Sequence, residues 1–270
     1  ETLKAHRPTT FFAAVNDEDL ERERQVESIV AENLALWQDE GLVPDMSIEP
    51  GDETTRLHRE RGWMYWHQLF GARSLFGIQR YRYCSTDPAM ADCLSHNFVK
   101  LPMVLDNASK LCTWNTGHPG SGEYTAHVFY NQALNTHYSY SLRSVSHIAD
   151  TLLMGSAEKG GDIGTQECTV VCDAASQVEE VVDCFITDPP YADAVQYHEI
   201  TEYFISWLRK NLPHPFDQWT WDSRRDLAIK GSGDDFRRGM VEAYRAMTDH
   251  MPDNGMQCVM FTHQDSGVWS

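Results

Sequence analysis

The chain has 270 residues, 41% of them hydrophobic and 11% aromatic, which is enough apolar material to bury a full core. Its formal net charge of −18 argues against strong nonspecific affinity for a polyanion, because phosphate neutralisation needs clustered Lys and Arg. No apolar run has the length of a membrane-spanning helix and no charged-then-apolar leader opens the chain, so a soluble, cytoplasmic protein is expected.

Residues 1–150 read as a mainly helical region. Asn16 or Asp17 can cap a helix on which Leu20, Val26, Ile29, Val30, Leu34 and Trp37 follow helical spacing, ending near Gly41. Pro44, Pro50 and Gly51 make residues 42–55 a connector, after which Trp63, Trp66, Leu69 and Phe70 begin a second apolar helical face. Thr86-Asp87-Pro88 is a good helix start, with a carboxylate at the cap and Pro at the first position. That helix should run toward Trp114, bent or divided at Pro102. A loop over 117–122 follows, and the aromatic-rich stretch 124–142 fits strand and helix alike.

Residues 151–270 change to an alternation of strand, loop and helix. A polar glycine-rich loop covers 155–164, and Cys168-Thr169-Val170-Val171-Cys172 reads as a buried strand followed by Asp173, Ala174 and Ala175. The apolar run 181–187 predicts another buried strand, ending at Asp188-Pro189-Pro190-Tyr191. Asp193 and Gln196 have the spacing of a capping box, and Ile200, Tyr203, Phe204, Trp207 and Leu208 mark one helical stripe. Asp234 or Asp235 opens a further helix with Phe236, Met240, Ala243, Tyr244 and Met247 on its buried face. A turn at Asp253-Asn254-Gly255 leads into a strand over 256–262, which completes a β-α-β alternation and implies a parallel sheet with right-handed crossovers.

The tetrapeptide at 188–191 carries the chemistry. An exocyclic amine conjugated to a heteroaromatic ring is a poor nucleophile because its lone pair is delocalised. The Asp188 carboxylate and the Pro189 carbonyl can accept hydrogen bonds from its two N–H donors and draw the nitrogen toward tetrahedral geometry. Pro189 and Pro190 bring carbonyls without competing N–H groups and restrict the backbone, so the acceptors are placed before a substrate arrives. Tyr191 offers a flat face to an extruded base, worth on the order of 1–3 kcal/mol and offsetting part of the cost of unstacking it. A loop at the carboxyl end of a parallel strand is a favoured ligand position.

On Asp188-Pro189-Pro190-Tyr191, the stretch 197–209, and more loosely Arg61-Gly62-Trp63 with Trp66 to Phe70, Leu111-Cys112-Thr113-Trp114-Asn115 and Tyr130-Asn131-Gln132-Ala133-Leu134, the chain resembles the amino-methyltransferase superfamily. Within it, the chain is similar to the large adenine-specific DNA methylases that carry an N-terminal domain of unknown function and a zinc-ribbon insertion. The resemblance implies a partial Rossmann-like α/β sheet, S-adenosylmethionine as methyl donor, and transfer to the N6 amine of a flipped adenine in DNA. It gives Asp188 and Pro189 the role of amine acceptors and Tyr191 that of base stacking, while Asp173 with Ala174 would meet the donor's adenine. The family's glycine-rich donor loop is not found upstream of residue 188; Gly231-Ser232-Gly233 is the nearest match, between a poor strand and an acidic helix start. With Glu1 in place of an initiator Met and an end at Ser270, a piece of a longer enzyme is expected. A catalytically silent scaffold derived from such an enzyme, or a methyltransferase of RNA or of protein glutamine, are the alternatives.

Other chemistries fit less well. Cys168 and Cys172 would lie about 13 Å apart along a strand at ~3.3 Å per residue, too far to share a zinc ion. His198-Glu199-Ile200-Thr201-Glu202 lacks the second histidine of a zinc-peptidase helix, and His263 after the last strand reads first as structural. The seven cysteines read as reduced, buried thiols. Arg80-Tyr81-Arg82, the stretch 56–61 and Arg224-Arg225 are the local basic patches, read first as ordinary salt-bridged surface.

Overall fold

Asn16 caps the first helix as the sequence expects: its side chain accepts the Asp19 N–H at 3.0 Å and the Asp19 carboxylate accepts the Asn16 N–H at 3.2 Å, a reciprocal capping box. In the computed structural model, residues 14–85, 91–115, 124–126, 128–129, 169–190, 196–221, 229 and 233–261 are described. They fall into two units, one comprising Glu1–Met46 with Tyr65–Lys159, the other Ser47–Met64 with Gly160–Ser270.

The first unit is helical. Helix α1 (Asp17–Asp39) ends where Gly41 takes φ +73°, and the Leu42 and Val43 N–H groups turn back onto the Trp37 carbonyl. Leu20 and Ile29 stay exposed while Val30 and Trp37 are buried, so α1 commits a narrower stripe than its spacing predicts. That stripe packs on α3 (Ala72–Ser85), which packs in turn on α4 (Ala91–Ala108); α4 continues through Pro102. The apolar run from Trp63 to Phe70 forms one 3-10 turn, Trp66–Leu69, in place of a longer helix. Its Trp66, Leu69 and Phe70 are nevertheless central to the core, with Ile78, Leu101 and Leu105. Burial, not helical continuity, is what those side chains encode. Strands β1 (Thr113–Asn115) and β2 (Tyr124–Ala126) pair antiparallel.

The second unit carries the motif. Ser47–Met64 belongs to it and holds a short helix, α2 (Thr54–Arg61), which stops at Gly62 with φ +66°; the Ile48 N–H bonds the Met64 carbonyl at 2.9 Å and closes this excursion at its base. Strand β3 (Cys184–Thr187) pairs parallel with β4 (Met256–Val259), in register Cys184 to Met256 and Thr187 to Val259. Between them in sequence lie α5 (Tyr197–Leu208) and α6 (Asp234–Asp249). This parallel pair with intervening helices is the alternation that the sequence predicts.

Two expected strands are corrected. Residues 169–172 form no strand, and Val170 and Val171 are exposed. High β-branched content makes a strand only where a neighbour accepts its ladder bonds. Strand β3 forms, but among the described residues only one of its faces is covered. Phe185 and Thr187 face the side of α6, whose Tyr244 carbonyl and Thr248 hydroxyl accept the Gln257 amide at 3.3 and 3.0 Å. On the other face Ile186 is 70% and Met256 61% exposed, with Cys184 and Cys258 beside them. Among the described residues the cysteines are not all buried: Cys112 is, Cys172 is half-buried, and Cys184 and Cys258 are exposed. Among the described residues no helix is long and apolar enough to cross a membrane.

Candidate functional site

Strand β3 delivers the motif to the place where ligands gather in parallel sheets. The Met260 N–H donates to the Thr187 carbonyl at 2.8 Å, so the carboxyl ends of β3 and β4 are tied side by side, and Asp188 is the first residue beyond the tie. Asp188 is exposed, and Pro189 and Pro190 are half-buried. Asp188 is therefore at the surface, and neither proline is sealed in the core. Tyr191 and Asp193 lie outside the described residues, as do Cys168, the expected loops at 117–122 and 155–164, Gly231, Ser232 and His263. Gly233 stands at the head of α6 with φ +60°.

Asp173 is exposed, and its carboxylate accepts the Ala174 N–H at 2.8 Å. Ala174 leads into a 3-10 turn, Ala175–Gln177, that packs against α6. Thr187 approaches the Tyr244 side chain of the same helix; burial pushes the Tyr244 phenol above its ordinary range, with Thr187 opposing. Helix α6 is thus the common neighbour of the segment carrying Asp173 and the strand end carrying Asp188. Sequence reading places Tyr244 in the core stripe but does not show that it backs the motif.

Beyond the motif, α5 begins at Tyr197 with Gln196 at its cap, where no side-chain bond forms. The predicted stripe is partly right: Tyr203, Trp207 and Leu208 are buried, while Ile200 and Phe204 are half-buried. Two glutamates, Glu199 and Glu202, are buried with them. Glu199 reveals why. Helix α2 has Glu53 at its N-cap position with no side-chain cap of its own, and the Glu199 carboxylate, 145 residues away from Thr54, takes that role. Its Oε1 accepts the Asp52 N–H at 2.8 Å, and its Oε2 accepts the N–H groups of Glu53 and Thr54 at 3.1 and 2.8 Å.

The electrostatics follow from this geometry. Burial by itself pushes the Glu199 carboxyl up, but the bonds from Thr54, Asp52 and Glu53 outweigh it and hold the group below its ordinary value of 4.5. The Thr54 hydroxyl braces the turn by donating to the Glu49 carbonyl at 2.6 Å. Gly51 supplies room: a Cβ there would collide with the Glu199 carboxyl group. The zinc-peptidase likeness of His198-Glu199 is explained away, because the acid is committed to α2; among the described residues no group of His, Cys, Asp and Glu is arranged to hold a metal ion. The one local sign of this latch in the sequence is a helix start at Thr54 with no capping side chain suited to it.

Comparison of the chain with protein-family models, with curated proteins and with solved structures finds no match.

Proposed function

We propose that the second unit is the motif-bearing part of an S-adenosylmethionine-dependent methyltransferase with a Rossmann-like α/β sheet, acting on the exocyclic N6 amine of a flipped adenine in DNA. The observation that supports this reading is the exposed Asp188 followed by two half-buried prolines at the carboxyl end of a parallel strand. In that setting the Asp188 carboxylate and the Pro189 carbonyl accept the two amine N–H groups and turn the nitrogen lone pair outward. The β3–β4 tie at Thr187 keeps these acceptors in place without help from the substrate. Tyr191 follows in sequence as the stacking face.

The donor, when bound, would supply an electrophilic methyl group on a sulfonium and depart as a neutral thioether once the C–S bond gives way to C–N, the surplus amine proton passing to the Asp188 carboxylate or to water. Asp173 has the chemistry to hold it: an exposed carboxylate, oriented by the Ala174 N–H, is an acceptor for amino or hydroxyl groups. Ala174, whose N–H does the orienting, is the neighbour expected to meet the donor's adenine with it.

The test is transfer of a labelled methyl group to unmodified DNA, with RNA and a glutamine-containing peptide as parallel acceptors. N6-methyladenine should be the labelled product, and Asp188→Ala should lower incorporation by about 100-fold or more, on the scale of losing a transition-state acceptor. Equal incorporation by parent and variant would remove the assignment; label in RNA or peptide alone would move the substrate to that class.

A further inference from the structure

We propose that Gln38, Pro44 and His67 form a pH-sensitive clasp within the first unit: it holds the 42–46 segment against the 66–69 turn while the His67 ring is neutral and lets go when the ring takes up a proton. The clasp is independent of the methyl-transfer reading above.

One amide group makes it. The Gln38 side-chain nitrogen, near the end of α1, donates to the Pro44 carbonyl at 2.7 Å and lies 3.2 Å from His67 Nδ1. A carbonyl oxygen can only accept, so the Pro44 bond fixes which way round the Gln38 amide sits. Its second N–H then meets Nδ1, which must accept it, and the ring proton belongs on Nε2. This geometry requires a neutral ring. A proton on Nδ1 sets donor against donor, and the new Nδ1–H competes with Gln38 for the same Pro44 carbonyl.

The surroundings favour the neutral form. Burial pushes His67 below its ordinary value of 6.5, with the Pro44 carbonyl opposing and the Lys110 ammonium adding to the fall. Lys110 stands just beyond α4, its Nζ donating to the Gln68 carbonyl at 3.0 Å, and Glu27 on α1 acts to keep it charged. Tyr65 stacks on the ring at 5.8 Å, and the acids flanking Gln38 and Pro44 in sequence, Asp39, Glu40 and Asp45, are not among the influences on it. A depressed histidine sets the sign: its contribution is present above the unfolded value of about 6.5 and is lost as pH falls from there through the lower folded value.

The segment that the clasp grips is tied at both ends by backbone bonds. The Leu42 and Val43 N–H groups go to the Trp37 carbonyl at 2.8 and 3.2 Å, and the Trp66 N–H goes to the Met46 carbonyl at 3.2 Å. Pro44, buried between them, has no N–H, so its carbonyl, held by Gln38, is its backbone tie. The amides of Leu42, Val43 and Trp66 therefore report opening of the segment.

The experiment uses the full chain from about pH 7.5 to about pH 5, the range in which a histidine titrates, with amide exchange divided by the intrinsic rate at each pH. Protection of the Leu42, Val43 and Trp66 amides in the parent should fall by about 5- to 100-fold, the effect of a buried donor left without its acceptor. His67→Phe keeps a ring that does not titrate, so its protection should stay flat. Gln38→Glu sets a carboxylate against the Pro44 carbonyl at neutral pH and gives the protonated ring an acceptor, so its protection should rise as pH falls. The NMR shifts of the parent's His67 ring nitrogens, read at the upper end of the range, should place the proton on Nε2, and this measurement needs no variant. A proton on Nδ1, flat protection in the parent, or a parent-like fall in His67→Phe or in Gln38→Glu would each overturn the clasp.

Discussion

Acid should loosen the second unit through Glu199. The carboxylate is held below its ordinary value by the N–H groups of α2, so the sign is that of a depressed acid: its contribution to stability is present above the unfolded value of about 4.3 and is lost as pH falls through the lower folded value. The size follows from what the carboxylate does. An N-cap is worth about 1 kcal/mol and a hydrogen bond to a charged group about 1.5–3 kcal/mol, but three donors share one carboxylate whose burial costs part of the gain. Glu199→Gln should therefore cost about 1–3 kcal/mol near pH 7, the amide keeping one acceptor oxygen. The His198 ring, 3.9 Å from Glu199 Oε1, adds a neighbouring cation when protonated, and a His198→Asn background separates its share. Urea unfolding of parent and variant, followed by amide exchange at residues 52–54, measures the gap as pH is lowered. It should shrink below about pH 4. A gap that stays constant or widens in acid would show that the buried carboxylate does not carry the link.

The open face of β3 and β4 predicts thiol reactivity: Cys184 and Cys258 should react with a maleimide in the folded protein, while Cys112 should react only after denaturation. Mass mapping of the labelled peptides reads this out, and labelling of Cys112 at the same rate would contradict the burial. Gly62→Ala should destabilise by about 1 kcal/mol, because the residue holds φ +66° while nothing lies within 4 Å of the added methyl, leaving backbone strain as the whole effect. Thermal unfolding followed by circular dichroism measures it, and a Gly62→Asn variant should lose less, since Asn tolerates the left-handed region.

Elements whose cause is local were legible in the sequence. The Asn16 cap follows from residue spacing and short-range hydrogen bonding and is present; the stripe of α6 is present in part, with Ala243 and Met247 buried and Phe236, Met240 and Tyr244 half-buried. What was not legible depends on a distant partner. Among the described residues, Thr169 to Cys172 have strand composition without a strand paired to them, and Ile186 sits in an apolar run yet is exposed while α6 lies on the opposite side. Glu199 is the sharpest case. Its spacing on α5 puts it near the apolar stripe, where a carboxylate is costly, and only the bare N-terminus of a helix far away in sequence makes its burial favourable. A one-dimensional pattern records that an acid is out of place; it does not record what it is waiting for. The 188–191 tetrapeptide stands out as a candidate because the chemistry proposed for it is contained in consecutive residues.

The charge of the chain bears on the choice of substrate, and the placement of its cations sharpens the point. Of the basic patches seen in the sequence, Arg82 is buried and donates to the Gly41 carbonyl at 2.9 Å, its guanidinium pushed down to about 10 by desolvation, while Arg80 lies over the Tyr83 ring. On α2, Arg56 and Arg59 pair with Glu53 and Glu60, and on α6 Arg237 and Arg238 pair with Asp234 and Asp235. The α2 and α6 cations are partnered by the chain's own acids and Arg82 by a backbone carbonyl, so gripping phosphates would first require breaking those contacts. A DNA complex of this chain should accordingly show a shallow salt dependence, with log K falling against log salt with a slope no steeper than about −3, the release from roughly three phosphates. Affinity for a short duplex and for the same sequence with one unpaired adenine, measured over a range of salt, gives the slope. Preference for the unpaired adenine with a shallow slope would place recognition in the base and the 188–191 notch. A slope of about −5 or steeper would mean that a cationic surface outside the described cations does the gripping, and the argument from their pairing would fail.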